Sequence, residues 1–254
     1  MTVAITRPVS ASVSRCELTH QARVAIDLDR ARRQHAGLER AMESLGLTIV
    51  RAAAADELPD AVFVEDIAVV VEEIAVLTRP GADSRRGETE GVAAVLAEYR
   101  PVARMTEPAT LDGGDVLRVG RTLYVGQSSR TNAAGIEQLR GFVGPFGYRV
   151  EPTSVSGCLH LKSAATVIAD GLLLVNPRWI AANALDGMER IDVDPLEPAA
   201  ANALLAGNAV LFPAHYPRTR KRLEDRGIRV VRVECDELAK AEGAVTCCSI
   251  LLKM

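Results

Sequence analysis

The segment LDGGDVLRVGRTLYVGQSSRTNAAGIEQLRGFVGPFGYRVEPTSV (residues 111–155) contains one complete structural unit. Residues 111–127 alternate apolar and other residues on either side of Gly120, which is typical of a β-hairpin. A helix is predicted to begin near Thr131, and residues 148–155 are predicted to form the strand that follows it. The order of elements in this unit is therefore strand, strand, helix, strand.

A similar order is predicted on the N-terminal side of this unit. Residues 27–45 repeat apolar positions with the three-four spacing of an amphipathic helix, and Gly46 suits the left-handed position after the last helical turn. Residues 47–52 predict a strand. Residues 62–80 predict two strands with a turn between them, and residues 88–99 predict a helix.

The order continues towards the C-terminus. Residues 160–177 predict another hairpin, in which Asp170-Gly171 forms the turn. The remaining predictions are a helix over 195–206, strands over 208–213 and 228–234, and a last strand that carries Cys247 and Cys248. The unit recurs about every fifty residues without any repeated sequence motif, so five units would use the length. Because no segment rich in Pro, Gly or Ser divides the chain, we expect a single α/β domain over residues 1–254.

The composition excludes several classes of protein. The chain has 254 residues, of which 25% are charged and 48% hydrophobic, and its formal net charge of −3 gives no reason to expect nucleic acid as a partner. Five cysteines without a small-domain spacing argue against a disulfide scaffold. Neither a signal peptide nor an apolar run of about 20 residues is found, so no membrane partner is expected. These features predict a cytoplasmic protein with reduced thiols.

The adjacent cysteines of GAVTCCSILLKM are either inert core residues or include a nucleophile. A free thiol, with a pKa of ~8.5, is mostly protonated at neutral pH and needs an activating neighbour. Of the four histidines, His160 is the strongest candidate because it is predicted to open a strand soon after a glycine. Neighbouring residues on a strand face opposite ways, so only one of Cys247 and Cys248 could enter a site.

Acids and arginines at predicted strand ends are the other candidates. They could be solvated loop residues, but together they would suit a small substrate that carries both a cation and a carboxylate. The acids are Asp60, Glu65, Asp66, Asp112 and Asp115, and the arginines are Arg85, Arg86 and Arg130. Zinc is not favoured by spacing, because Cys158-x-His160 has no partner pair with zinc-like spacing.

Six stretches, in order, resemble the dimethylarginine dimethylaminohydrolase family of guanidine-modifying enzymes. They are LPDAVFVEDIAVV, TRPGADSRR, LDGGDV, SSRTN, LHLKS and VTCCSILL. The resemblance runs from about residue 44 to the C-terminus. It implies the pentein fold, a five-bladed α/β-propeller of five ββαβ units around a pseudo-fivefold axis, with the site at the centre.

The resemblance also implies which residues act on the substrate. The nucleophile matches Cys247 of TCCS, and the acid/base histidine matches His160 of LHLKS. The carboxylates that hold the substrate guanidinium match Asp66 and Asp112, with Glu65 as a further contact.

The amino-acid end of the substrate is expected to meet a second group of residues. Asp60 is expected to bind the α-ammonium group, and Arg85 and Arg130 the α-carboxylate. The backbone carbonyls of Leu18, on an N-terminal loop, and of Ala241 match two further contacts.

The implied reaction is hydrolysis of asymmetric dimethylarginine or monomethylarginine to citrulline and an amine, through a covalent S-alkylthiouronium intermediate on Cys247. It requires no cofactor, although zinc bound at Cys247 could inhibit it. The alternatives are an arginine deiminase-type hydrolase that acts on free arginine, and a non-catalytic arginine-binding protein. The expected partner is a small-molecule substrate, and the chain could be a monomer or a homodimer. The other cysteines, and Trp179, are expected to be packing residues.

Overall fold

The computed structural model describes residues 1–181, 184–185 and 187–254. Within this part of the chain, the strands are β1 (Thr2–Thr6), β2 (Leu47–Arg51), β3 (Ala68–Val70), β4 (Ala75–Leu77), β5 (Val102–Arg104), β6 (Val116–Val119), β7 (Thr122–Gln127), β8 (Arg149–Ser154), β9 (Ala165–Ala169), β10 (Leu172–Val175), β11 (Glu189–Asp192), β12 (Leu204–Ala206), β13 (Ala209–Pro213), β14 (Val230–Val233) and β15 (Ile250–Lys253). The helices are α1 (Leu28–Ser44), α2 (Thr89–Leu96), α3 (Ala133–Val143), α4 (Leu161–Ala164), α5 (Pro217–Asp225) and α6 (Asp236–Ala239). Short 3-10 turns lie at Val13–Arg15, Val64–Ile67, Asp83–Glu88, Gly113–Asp115 and Gly144–Phe146.

The strands form five sheets of three strands each. Their orders are β15-β1-β2, β3-β4-β5, β6-β7-β8, β9-β10-β11 and β12-β13-β14. In every sheet the middle strand is antiparallel to the first strand and parallel to the third. A hairpin followed by a crossover produces this pattern, because a parallel partner cannot be reached by a tight turn. The predicted five-bladed α/β-propeller is confirmed.

The first strands of all five sheets surround a common axis. A cavity that we call the central channel is lined by residues of β3, β6, β9, β12 and β15, together with Glu65, Lys162 and Thr246. The sheet that closes the ring joins the two ends of the described chain, since Val3 of β1 pairs with Leu252 of β15. The segments just before the first strands therefore meet near the axis.

Local sequence signals explain the first helix. The Asp27 side chain accepts a hydrogen bond from the Arg30 N–H at 2.9 Å, which satisfies a free amide of the first turn. Leu38 and Met42 are buried on the inner face. Gly46 follows the helix with φ +84°, a conformation that glycine adopts without steric cost.

Three predictions about local structure are wrong. The helix predicted over 195–206 is replaced by turns that lead into β12. Helix α5, which comes later in the chain, was not predicted at all. Cys247 and Cys248 lie in a turn before β15, not on the strand. His160 is the residue before α4 and does not open a strand, since β9 follows that helix.

Among the described residues, no helix combines the length and the apolar character that crossing a bilayer demands.

Candidate active site

Two glycines bring three segments into contact near the axis. A Cβ on Gly113 would lie 2.0 Å from the Glu65 carbonyl oxygen, and one on Gly114 would lie 2.5 Å from His160 Nδ1. The Gly114 N–H donates to Asp66 Oδ1 at 2.9 Å. The pair Gly113-Gly114 therefore allows the turn after Asp112 to pack directly against Asp66 and His160, which any larger residue would prevent.

The segments enclose a small cavity, which we call the substrate cavity. Most of the residues predicted to form the site contribute to its wall. It is lined by Glu17, Asp60, Phe63, Asp66, Arg85, Arg130, Leu159, His160, Ala241, Glu242, Gly243 and Cys247. Asp112 lies behind the wall and reaches the site through His160, whereas Leu18 and Glu65 do not line this cavity.

His160 is held between two buried carboxylates. Its Nε2 lies 3.1 Å from Asp112 Oδ2, and its Nδ1 lies 3.8 Å from Asp66 Oδ1. Burial alone would lower the pKa of His160, but the charges of Asp66, Asp112 and Asp115 outweigh it and raise the pKa to about 9. The imidazole is therefore protonated at neutral pH and can donate a proton.

The pKa of Asp66 is shifted in the opposite direction to that of His160. Burial would raise the pKa of this carboxyl, but the charges of His160 and Arg85, with hydrogen bonds from Arg85 and Gly114, lower it to about 2. Asp66 is therefore a carboxylate at any physiological pH.

The two neighbouring cysteines have different environments. Cys247 is partly buried and lines the substrate cavity. Cys248 is fully buried in a hydrophobic cluster with Cys16 and Cys235. Burial, with the nearby negative charges of Glu65 and Asp66, raises the pKa of Cys247 to about 12. In the free protein Cys247 is thus a thiol at neutral pH, and a positive charge added beside it would favour the thiolate.

Arg85 and Arg130 lie beside the acids of the substrate cavity. Arg85 Nη1 donates to Asp66 Oδ2 at 2.6 Å, and its other nitrogens bind Glu88. Arg130 Nη1 lies 3.7 Å from Asp112 Oδ2 and has no hydrogen-bond partner among the described residues. The unfilled space in the cavity is about 20 Å³, room for about one water molecule. A substrate therefore has to displace part of this arrangement.

Glu65 points away from the substrate cavity into the central channel. Its carboxylate accepts hydrogen bonds from Lys162 Nζ at 2.6 Å and from Thr246 Oγ1 at 2.7 Å. Its backbone contacts Cys247, since the Glu65 N–H donates to the Cys247 carbonyl oxygen at 3.0 Å. The Glu65 side chain and the Asp66 side chain therefore have different surroundings.

The N-terminal loop closes the substrate cavity through residues that sequence reasoning did not single out. The Glu242 carboxylate accepts hydrogen bonds from the backbone amides of Thr19 at 3.0 Å, His20 at 2.5 Å and Gln21 at 2.6 Å. The Glu17 N–H donates to Asp60 Oδ2 at 3.0 Å. Leu18 lies between these contacts. Long-range pairs of this kind leave no local sequence signal.

Asp115 supports His160 from behind. Its carboxylate accepts hydrogen bonds from the hydroxyls of Ser128 and Thr131, both at 2.6 Å, and from the Leu161 N–H at 3.0 Å. Leu161 follows His160 directly, so Asp115 fixes the backbone that carries the imidazole. The sequence predicts Asp115 as one of the candidate acids, but its partners leave no local sequence signal.

Ligand atoms of Asp66, Asp112 and His160 lie within 4.8 Å of one another, so these three residues could in principle hold a metal ion. Asp66 is already occupied on both oxygens, by Arg85 and by Gly114. The cation at these carboxylates is a guanidinium group of the protein itself. The arrangement suits a planar organic cation better than a metal ion.

The chain was compared with known proteins. No family model matches it. It is 41% identical over 251 residues to the N(G),N(G)-dimethylarginine dimethylaminohydrolase of Streptomyces coelicolor, covering 98% of this chain and 96% of the relative. It is 33% identical over 226 residues to the protein of the same name from Pseudomonas aeruginosa, covering 88% of this chain and 89% of the relative.

Solved structures give the same result. The dimethylarginine dimethylaminohydrolase of Pseudomonas aeruginosa, a cysteine-to-serine mutant complexed with citrulline, superimposes with a TM-score of 0.94 at 31% identity and covers 98% of both chains. The N-terminal domain of ArgZ, an arginine dihydrolase from cyanobacteria, superimposes with a TM-score of 0.87 at 19% identity, which shows the shared fold alone.

Proposed function

Because this chain belongs to the dimethylarginine dimethylaminohydrolase family, we propose that it hydrolyses N-omega-methylated arginines to L-citrulline and methylamine or dimethylamine. The observation that carries this proposal is that the Cys247 thiol, the His160 imidazole and the Asp66 carboxylate line one cavity. An arginine deiminase-type reaction is not favoured, since the similarity to the arginine dihydrolase is limited to the fold.

Binding comes first in the proposed mechanism. The substrate guanidinium binds Asp66 by charge-assisted hydrogen bonds. It reaches Asp112, which lies behind the wall in the free protein, by displacing part of the internal ion pairs, and the two carboxylates then fix its plane. Its α-carboxylate binds Arg85 and Arg130, and the unpartnered Nη1 of Arg130 supports this role. The α-ammonium binds Asp60, whose pKa is raised by burial although Arg85 opposes the shift.

The carbonyls of Leu18 and Ala241 complete the proposed binding site. Ala241 lines the substrate cavity, and Leu18 lies in the loop that Glu242 holds closed. Glu65 is the least supported contact, because Lys162 and Thr246 already bind its carboxylate. We propose that Glu65 acts on the substrate only through the position of its neighbours.

Covalent chemistry follows binding. The bound cation lowers the pKa of the Cys247 thiol, which releases its proton to water and attacks the guanidinium carbon as a thiolate. The bond from this carbon to the methylated nitrogen breaks, and the His160 imidazolium gives its proton to the departing amine. The S-alkylthiouronium intermediate remains on Cys247.

Hydrolysis then regenerates the protein. Neutral His160 removes a proton from a water molecule, which attacks the same carbon. The carbon–sulfur bond breaks, the proton left on the attacking oxygen passes to the departing Cys247 sulfur, and citrulline is released. Thiol, imidazole and carboxylates supply every step, so we propose that no cofactor is needed. Zinc that bound the Cys247 thiolate would block the attack, and activity that rises on addition of a chelator would reveal it.

Three wider expectations remain proposals. Five sheets around one axis support a single catalytic domain over residues 1–254. Five free cysteines support a reducing, cytoplasmic location. The substrate is the small-molecule partner, and the chain is a monomer or a homodimer.

A matched pair of variants tests the proposed function. Citrulline formation is measured on dimethylarginine, monomethylarginine and arginine with the wild type, Cys247→Ser and Cys248→Ser. We expect the methylated substrates to be preferred, Cys247→Ser to bind substrate without turnover, and Cys248→Ser to retain activity per folded molecule. Preference for plain arginine, or undiminished activity of Cys247→Ser, would contradict the proposal.

A further inference from the structure

A second and larger cavity adjoins the substrate cavity at the nucleophile. Its volume is about 290 Å³, against about 20 Å³ for the substrate cavity. The two cavities share Leu159, Cys247 and the turn Glu242-Gly243 as common walls. We call the larger one the side chamber. Cys247 therefore has the charged substrate cavity on one side and the side chamber on the other.

The walls of the side chamber differ in character from those of the substrate cavity. Asp60, Asp66, Arg85 and Arg130 line the substrate cavity. The side chamber is lined mainly by apolar and aromatic groups, among them Trp179, Tyr216, Pro213 and Ala199. Trp179 is partly buried, and its indole packs on Gly157, where an added Cβ would lie 3.0 Å from Trp179 Cδ1. Such walls favour methyl groups over charged or strongly hydrated ones.

The side chamber nevertheless suits a small organic cation. The faces of Trp and Tyr attract alkylated ammonium groups. His215, whose ring centroid lies 4.2 Å from that of Tyr216, lines the same wall, and its Nδ1 is buried without a hydrogen-bond partner among the described residues. Burial lowers the pKa of His215 although Asp236, Glu234 and Glu197 oppose the shift, so the imidazole adds no positive charge to this wall at neutral pH.

We propose that the side chamber receives the N-methyl groups of the reacting nitrogen and then holds the departing mono- or dialkylamine. This inference rests on the proposed function. When Cys247 Sγ bonds to the guanidinium carbon, the leaving nitrogen lies two bonds from the sulfur, at the wall that both cavities share. The unfilled space of the substrate cavity, about 20 Å³, is too small for two methyl groups. The side chamber offers that space, with walls that suit methyl groups. The departing amine is neutral, and there it takes up a proton from water and becomes the alkylammonium ion.

Trp179 allows binding to be tested without turnover, because it is the one tryptophan in the sequence. Dimethylammonium chloride is titrated into the protein, and tryptophan emission is recorded against sodium chloride at equal ionic strength. We expect a saturable change with dimethylammonium alone. Ala199→Phe, which fills part of the side chamber from an exposed position, should weaken the apparent affinity at least fivefold.

A control and a catalytic measurement complete the experiment. Leu196→Phe changes a residue of the same segment that is 72% exposed and does not line the side chamber, so it should behave as the wild type. The ratio of kcat/KM for dimethylarginine to that for monomethylarginine is then compared. Ala199→Phe should lower this ratio about tenfold, because one methyl group in a filled pocket is worth that much.

The outcomes separate this inference from the proposed function. If methylated arginines give no citrulline but the titration saturates, the proposed function is wrong and the side chamber is still a site for small alkylammonium ions. If citrulline forms, a flat titration or an unchanged substrate ratio in Ala199→Phe overturns the role of the side chamber and leaves the proposed function intact. If neither citrulline nor a saturable signal is observed, both are wrong.

Discussion

The carboxylates of Glu65 and Asp66 face different cavities, although the two residues are neighbours in the chain. They lie in the 3-10 turn Val64–Ile67, in which successive side chains are rotated by about a third of a turn. Asp66 therefore binds Arg85 and lies beside His160, while Glu65 binds Lys162 across the central channel.

This separation predicts unequal effects of two conservative substitutions. Asp66→Asn should lower kcat/KM for dimethylarginine by at least about tenfold, because a charge-assisted hydrogen bond to the substrate is lost. Glu65→Gln should change kcat/KM by less than about threefold, since an amide oxygen can still accept from Lys162 or Thr246. Steady-state citrulline assays on variants of matched circular dichroism measure both. Equal losses would show that Glu65 also holds the substrate.

Asp115 is predicted to set the protonation of His160 from behind. Its charge is one of those that raise the pKa of His160, and it contacts no substrate in the proposed mechanism. Asp115→Asn should therefore lower the pKa of His160 and move the alkaline decline of kcat/KM to lower pH. Asp170→Asn, at an exposed hairpin turn, is the control. If kcat/KM of Asp115→Asn is lower at every pH but its alkaline decline stays at the same pH, Asp115 only supports the packing around His160.

The two buried histidines should affect stability with opposite signs. The pKa of His160 in the folded protein, about 9, lies above the ordinary 6.5, so its stabilising contribution is complete below pH 6.5 and is lost as the pH rises to 9. That change is on the order of 3 kcal/mol, at about 1.4 kcal/mol for each pH unit. Chemical denaturation of the wild type and His160→Gln between pH 6 and 10 would measure it.

His35 provides the matched comparison. Burial lowers its pKa although Glu39 opposes the shift, so charging of His35 disfavours the folded state at low pH. The wild type should therefore gain stability relative to His35→Gln as the pH rises towards 6.5. The same direction for both histidines would contradict the assigned charge states.

Glu242 is predicted to hold the N-terminal loop over the substrate cavity. Its carboxylate accepts hydrogen bonds from three backbone amides. The φ angle of Glu242 itself is +58°, a conformation that is costly for residues other than glycine. Glu242→Gln should raise KM and speed hydrogen exchange of residues 17–21, with little change in kcat. Glu57→Gln, an exposed acid, is the control. Unchanged hydrogen exchange of residues 17–21 in Glu242→Gln would show that Glu242 does not hold the N-terminal loop.

The sequence correctly predicted those helices and strands whose apolar spacing forms a pattern within a short segment. Helix α1 and the hairpins β6-β7 and β9-β10 follow from periodicity and turn residues. The helix predicted over the alanine-rich segment 195–206 is wrong, because intrinsic helix preference is a weak signal. Ala200 and Ala201 are buried in the core, and β12 forms because it pairs with β13. Tertiary packing overrode the local preference.

The site was predictable only where a single segment carries the role. The resemblance placed His160, Asp66 and Cys247, and the structure brings them to one cavity. It could not show that Glu65 turns towards Lys162, because no alternation rule applies to a 3-10 turn. Nor could it show that Glu242 contacts residues 19–21, more than two hundred positions away.

The pairing of β15 with β1 has a consequence for biosynthesis. Cys247 lies three residues before β15, so its sulfur reaches the substrate cavity only when the fifteenth strand docks beside the first. A chain still on the ribosome, with its other sheets already assembled, would carry the imidazole and the acids but no aligned thiol. Catalytic competence would then arrive in one step, with ring closure.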